Sequence, residues 1–128
     1  MQGSAAESNY YPSFGPEGEW IVFNRSSADS YSDDDAMMWV MAKGGGTPVA
    51  LQRANVASGL RNSWARWSPF VQTYKGKKLL WFTFSSTRDY GTRLVNTGRG
   101  EKDKLPQLWM AAFDPDKAAK GLDPSFPA

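Results

Sequence analysis

Three short segments of this chain occur twice, in the same order. Phe14-Gly15-Pro16 returns as Trp67-Ser68-Pro69: an aromatic, a small residue, a proline. Glu19-Trp20-Ile21-Val22-Phe23-Asn24-Arg25-Ser26-Ser27 is echoed by Lys78-Leu79-Leu80-Trp81-Phe82-Thr83-Phe84-Ser85-Ser86, each a charge, an apolar run and a closing Ser-Ser. Met37-Met38-Trp39-Val40-Met41-Ala42 is echoed by Gln107-Leu108-Trp109-Met110-Ala111-Ala112. Ordered recurrence of this kind confines a chain to architectures made by repeating one supersecondary unit. The second copy carries extra residues at 71–77 and at 88–106, as surface loops between preserved strands tolerate. Asp123-Pro124-Ser125-Phe126-Pro127 resembles Tyr11-Pro12-Ser13-Phe14-Gly15 and reads as the start of a third copy.

Each copy reads as short antiparallel strands. Copy one places them at about 11–14, 20–25, 37–42 and 48–52; copy two at about 63–67, 78–85 and 105–112. Pro16-Glu17-Gly18 is a turn, because proline presets φ and glycine accepts φ > 0. Gly44-Gly45-Gly46 joins the third and fourth strands as a hairpin. In place of a fourth strand, the second copy offers a short helix: Asp114 as cap, Pro115 at its first position, Gly121 as its stop. Aromatic residues make up 14% of the chain, and frequent Gly and Pro break the strands, so the expected fold class is all-β.

Composition narrows the function. The net charge of +2 gives no reason to expect nucleic acid or an anionic membrane as partner. Cysteine and histidine are absent, which removes disulfides, thiol nucleophiles and any Ser-His-Asp triad. Neither Ser-x-x-Lys nor Gly-x-Ser-x-Gly occurs. The expectation is therefore a chain that is not an enzyme. No apolar run approaches the roughly 20 residues of a membrane span. Residues 1–8 are small and polar, show no signal-peptide pattern and read as a disordered or appended N-terminus.

The pattern Pro12-x-Phe14-x-Pro16-x-Gly18-x-Trp20-Ile21-x-Phe23, then Trp39-Val40-Met41, then Gly45-Gly46-Thr47-Pro48-Val49-x-Leu51, resembles the blades of TolB-like, WD-repeat-like β-propellers. Copy two matches with Trp67, Ser68, Pro69 and Leu108, Trp109, Met110, without the tight turn. The resemblance implies four-stranded blades at 9–62 and 63–122, with an insertion at 88–106, and the first strand of a further blade at 123–128. Two blades make an incomplete ring, because propellers close with about 4–8. The outward faces then need cover. The chain is expected to be a segment of a longer propeller. The alternatives are a homo-oligomer or complex that completes the ring, and a compact β domain of another kind. The resemblance further implies a protein-binding scaffold, periplasmic or envelope-associated. The alternatives are an accessory domain of a peptidase or hydrolase, with catalytic residues elsewhere, and a Ca²⁺- or carbohydrate-binding module.

Two constellations are candidates for binding. The loop Asp29-Ser30-Tyr31-Ser32-Asp33-Asp34-Asp35 offers Asp29, Asp33 and Asp35 as oxygen ligands for Ca²⁺, without the glycine and glutamate of an EF-hand loop. The same run also reads as a solvated polar loop. No other cofactor is expected. Trp64, Arg88, Asp89, Tyr90 and Arg93 are candidates for a ligand or partner loop. Trp20, Trp39, Trp67, Trp81 and Trp109 lie on strands and read as core.

Overall fold

Pro16 and Gly18 reverse the chain between its first two strands. The Gly18 amide donates to the Gly15 carbonyl at 2.9 Å, and the Gly15 amide to the Trp20 carbonyl at 2.8 Å. Gly18 adopts φ 70°, the left-handed conformation this turn requires. The hairpin joins β1 (Ser8–Phe14) to β2 (Trp20–Ser26). The computed structural model describes residues 6–28, 31–89 and 105–128.

β2 pairs with β3 (Met37–Ala42), placing Phe23 opposite Trp39. β3 pairs with the two-residue β4 (Val49–Ala50), shorter than the expected 48–52, because the chain turns directly into α1 (Gln52–Asn55). The first sheet has the order β1-β2-β3-β4. The second is built on β7 (Lys77–Ser86), the longest strand. β5 (Ser63–Trp67) and β6 (Gln72–Tyr74) pair with different parts of β7, and β8 (Gln107–Phe113) also pairs with it. The protein is thus all-β in class, with two four-stranded antiparallel sheets. The two sheets close no ring among the described residues.

Three local outcomes differ from the expectation. The extra residues at 71–77 are not simply a loop: β6 lies within them. Lys75 and Gly76 both take positive φ, 50° and 75°, the twist that suits a two-residue hairpin. The two long strands also match differently. Phe84 faces Trp109 as Phe23 faces Trp39, so Phe84, not Phe82, occupies the place of Phe23. Matching the closing Ser-Ser pairs by eye slips the alignment by two residues and leaves the faces unchanged, because strand alternation has a period of two. Finally, the tail, expected as the first strand of a further blade, also meets the second sheet. Ser125 forms an antiparallel bridge with Phe113, and the Phe126 amide donates to the Ala112 carbonyl at 3.0 Å.

The short helix α2 (Pro115–Ala119) forms as its capping residues predict. The Asp114 carboxylate accepts from the amides of Asp116 and Lys117 at 3.0 and 3.3 Å.

The core lies between the sheets. Val22, Met38 and Val40 from the first meet Leu80, Phe82, Phe84, Ala111 and Phe113 from the second, all buried. Trp20, Trp67 and Trp109 pack against this layer, with Trp67 edge-on to Phe113 at 4.9 Å between ring centres.

Candidate functional site

Each sheet has one strand carrying a β-bulge, and each bulge carries an aromatic residue in left-handed backbone. In β1 the pairing slips between Tyr10 and Ser13; in β5 it slips between Ser63 and Arg66. Tyr11 has φ 50° and Trp64 has φ 56°. They occupy the same place in the two copies, three residues before Phe14 and Trp67. A bulky residue at positive φ costs roughly 1–3 kcal/mol and persists only when its surroundings fix it.

At Trp64 the fixing partner is buried. The Trp64 amide donates to Asn24 Oδ1 at 2.9 Å, while Asn24 Nδ2 donates to the Asn62 carbonyl at 2.7 Å. The bulge in β1 is held from the other sheet: Trp67 Nε1 donates to the Ser13 carbonyl at 3.0 Å.

These bulges bring aromatic rings together at the surface. The Trp64 ring lies 6.0 Å from Tyr11 and 6.0 Å from Tyr31, the latter edge-on at 86°. Tyr10 follows at 6.4 Å from Tyr11, and the Arg66 guanidinium lies 5.8 Å from the Trp64 ring. Trp64 remains 49% exposed. Tyr31 is anchored through its hydroxyl, 3.2 Å from Ser85 Oγ. Beside it a recess of about 90 Å³ is lined by Tyr31, Ser32, Arg61, Ser85, Thr87 and Pro106.

Arg88, expected on a partner loop, is instead buried behind this cluster at 7% exposure. Its Nη2 donates to Asn62 Oδ1 at 2.6 Å and to the Ala54 carbonyl at 2.7 Å; its Nε donates to Ser86 Oγ at 3.0 Å. The guanidinium lies 4.9 Å from the centre of the Phe84 ring and 5.2 Å from that of Trp109. Burial pushes it down to about 10. Asn55 completes the network by exchanging two 2.9 Å bonds with the backbone of Met38, as a neighbouring strand would. Asn24, Asn55, Asn62, Ser86 and Arg88 therefore tie the two sheets together. Of these, the sequence singles out only Arg88, as a residue of a ligand or partner loop. Asparagines far apart in sequence carry no signal that they share a buried network.

In the acidic loop, two carboxylates accept from backbone amides. Asp33 Oδ2 accepts from the Ala28 amide at 2.7 Å, and Asp35 Oδ1 accepts from the Ser27 amide at 3.1 Å. Hydrogen bonding from the Ser27 side chain holds the Asp35 carboxyl below its ordinary value, against a smaller opposing push from burial. Among the described residues no group of three or more acidic side chains is placed to hold a metal ion. Asp29, Tyr90 and Arg93 lie outside the described residues, and Asp89 is exposed. Of the described residues expected at a partner site, Trp64 is the one this surface displays within an aromatic cluster.

No protein-family model matches the chain, and a search of curated proteins finds no match. Among the described residues, no helix is long and apolar enough to cross a membrane.

Proposed function

We propose that the two sheets are blades of a TolB-like β-propeller, and that the chain serves as a non-catalytic, protein-binding scaffold of the periplasm or cell envelope. The observation that carries the reading is the exposed Trp64, held in left-handed backbone and ringed by Tyr11, Tyr31 and Arg66. Trp, Tyr and Arg are the residue types that dominate binding energy at protein interfaces. Rigid presentation lowers the ordering cost of association. The tandem match of Phe23 with Phe84 and of Trp39 with Trp109 supports a repeat of blades. Chemistry is not asked of the site. Ser85 meets Tyr31 hydroxyl to hydroxyl, and the chain has no imidazole or thiol.

A photo-crosslinking amino acid at position 64, with exposed Leu122 as the control position, tests the reading in cells that make the protein. A discrete protein adduct at 64 and none at 122 is the expected result. No adduct at 64, or equal labelling at both positions, overturns it.

A further inference from the structure

The two sheets do not meet through like faces. The first contributes Trp20, Val22, Met38 and Val40; the second contributes Phe82, Phe84, Ala111 and Phe113, with Trp20 lying 6.0 Å from Phe113. Strand pairing fixes which residues are equivalent. Trp20 faces Ala42 as Trp81 faces Ala112, and Phe23 faces Trp39 as Phe84 faces Trp109. On that register Met38 and Val40 correspond to Leu108 and Met110, and Ile21 and Phe23 to Phe82 and Phe84.

The equivalent positions have opposite fates. Met38 and Val40 are 0% and 2% exposed in the first sheet, whereas Leu108 and Met110 are 79% and 56% exposed in the second. The second sheet thus repeats, on its free side, the apolar face that the first has buried. The other end is partly open. Phe82 and Phe84 are buried between the sheets; their equivalents Ile21 and Phe23, with Met41, line a groove of about 240 Å³ on the free side of the first, where Ile21 and Met41 are half-buried and Phe23, 5% exposed, lies beside the Arg25 guanidinium. Among the described residues, neither of these faces is covered by a face of the other kind.

We propose that these two free faces mate with each other between copies of this chain, head to tail. Leu108 and Met110 of one copy enter the groove lined by Ile21, Phe23 and Met41 of the next. The inference rests on reading the two sheets as successive repeats, and the occupant is argued from the interface inside the chain, which already joins the same two kinds of face. Because the faces differ, the contact is heterologous: it continues from copy to copy until a ring closes or a filament grows.

Two variants test this by disabling one face each. Leu108→Glu/Met110→Glu alters the donor face and Met41→Glu the acceptor face. Sedimentation across micromolar to submillimolar concentration should show the unaltered protein as species larger than a dimer, and each variant alone as a monomer. An equimolar mixture should form a one-to-one dimer and nothing larger, through the single intact pair of faces. Formation of that dimer also reports that both variants are folded. An unaltered protein that stays monomeric overturns the proposal, as does either variant that dimerises alone, which would mean like faces meeting. The crosslink at position 64 is scored separately in the Leu108→Glu/Met110→Glu protein. An adduct there beside a monomeric unaltered protein removes the stacking and leaves the scaffold reading intact. Stacking without any adduct does the reverse.

Discussion

Replacing Arg88 with methionine keeps the apolar stem against Phe84 and Trp109 and removes the charged fork. Two buried acceptors then lose their donor, the Ala54 carbonyl and Asn62 Oδ1, now served at 2.7 and 2.6 Å. Each orphaned group costs about 1–3 kcal/mol. The cation's attraction to two rings, desolvated as it is, adds about 2 kcal/mol. One term opposes these. Burial lowers the guanidinium well below its ordinary value, to about 10. At about 1.4 kcal/mol per unit, hosting the charge costs roughly 3 kcal/mol, which methionine relieves. The net expectation is a loss of about 3 kcal/mol. Urea unfolding should read it as a midpoint lower by about 1–3 M, given ordinary slopes. Dilute protein should be used, so that self-association adds no stability of its own. Folded and unfolded chains both hold this proton at neutral pH, so the loss should not vary across the neutral range. Arg88→Lys separates charge from shape. An ammonium cannot serve Ala54, Asn62 and Ser86 together, so lysine should lose nearly as much as methionine. A methionine variant as stable as the parent would refute the claim that this network joins the sheets. A lysine variant equal to the parent would refute the need for the fork.

Two further outcomes follow from the same geometry. Trp64→Gly and Trp64→Ala lose the same ring, but only glycine accepts φ 56° freely; the glycine variant should be about 1 kcal/mol the more stable in thermal melts, and equal stabilities would contradict the left-handed backbone. Asp35 has a folded pKa below its ordinary 3.8, so the stability it contributes is complete above that value and is lost as pH falls through the folded one. The gap in melting temperature between the parent and Asp35→Asn should therefore close as pH falls below 3.8 and through that folded value, and a constant gap would exclude this role.

The strands and the short helix were legible because they rest on local chemistry. Pro16 with Gly18, Asp114 with Pro115, and the apolar runs at Trp20 and Met37 each act within a few residues. What was not legible depends on distant partners. Nothing in the sequence pairs Asn24 with Asn62, and Arg88 reads as a surface charge until both are placed around it. The bulges were hidden for another reason. Positive φ normally shows itself as glycine or asparagine, and here it falls on tyrosine and tryptophan. β6 was missed because a Lys-Gly turn between polar residues looks like an insertion. The Ser-Ser ends invited a two-residue slip because matching residue types is not the same as matching strand partners.

The bulges bear also on how the folded chain avoids unwanted company. β1 and β5 both lie at the end of a strand order. An unbroken border strand offers a ladder of free amides and carbonyls to any passing extended peptide. The bulges at Tyr11 and Trp64 interrupt that ladder in the middle. Adding a strand at these two borders is thereby obstructed, while the broad sheet faces stay open. The backbone distortion that displays the aromatics thus also steers the chain from amyloid-like extension toward stacking.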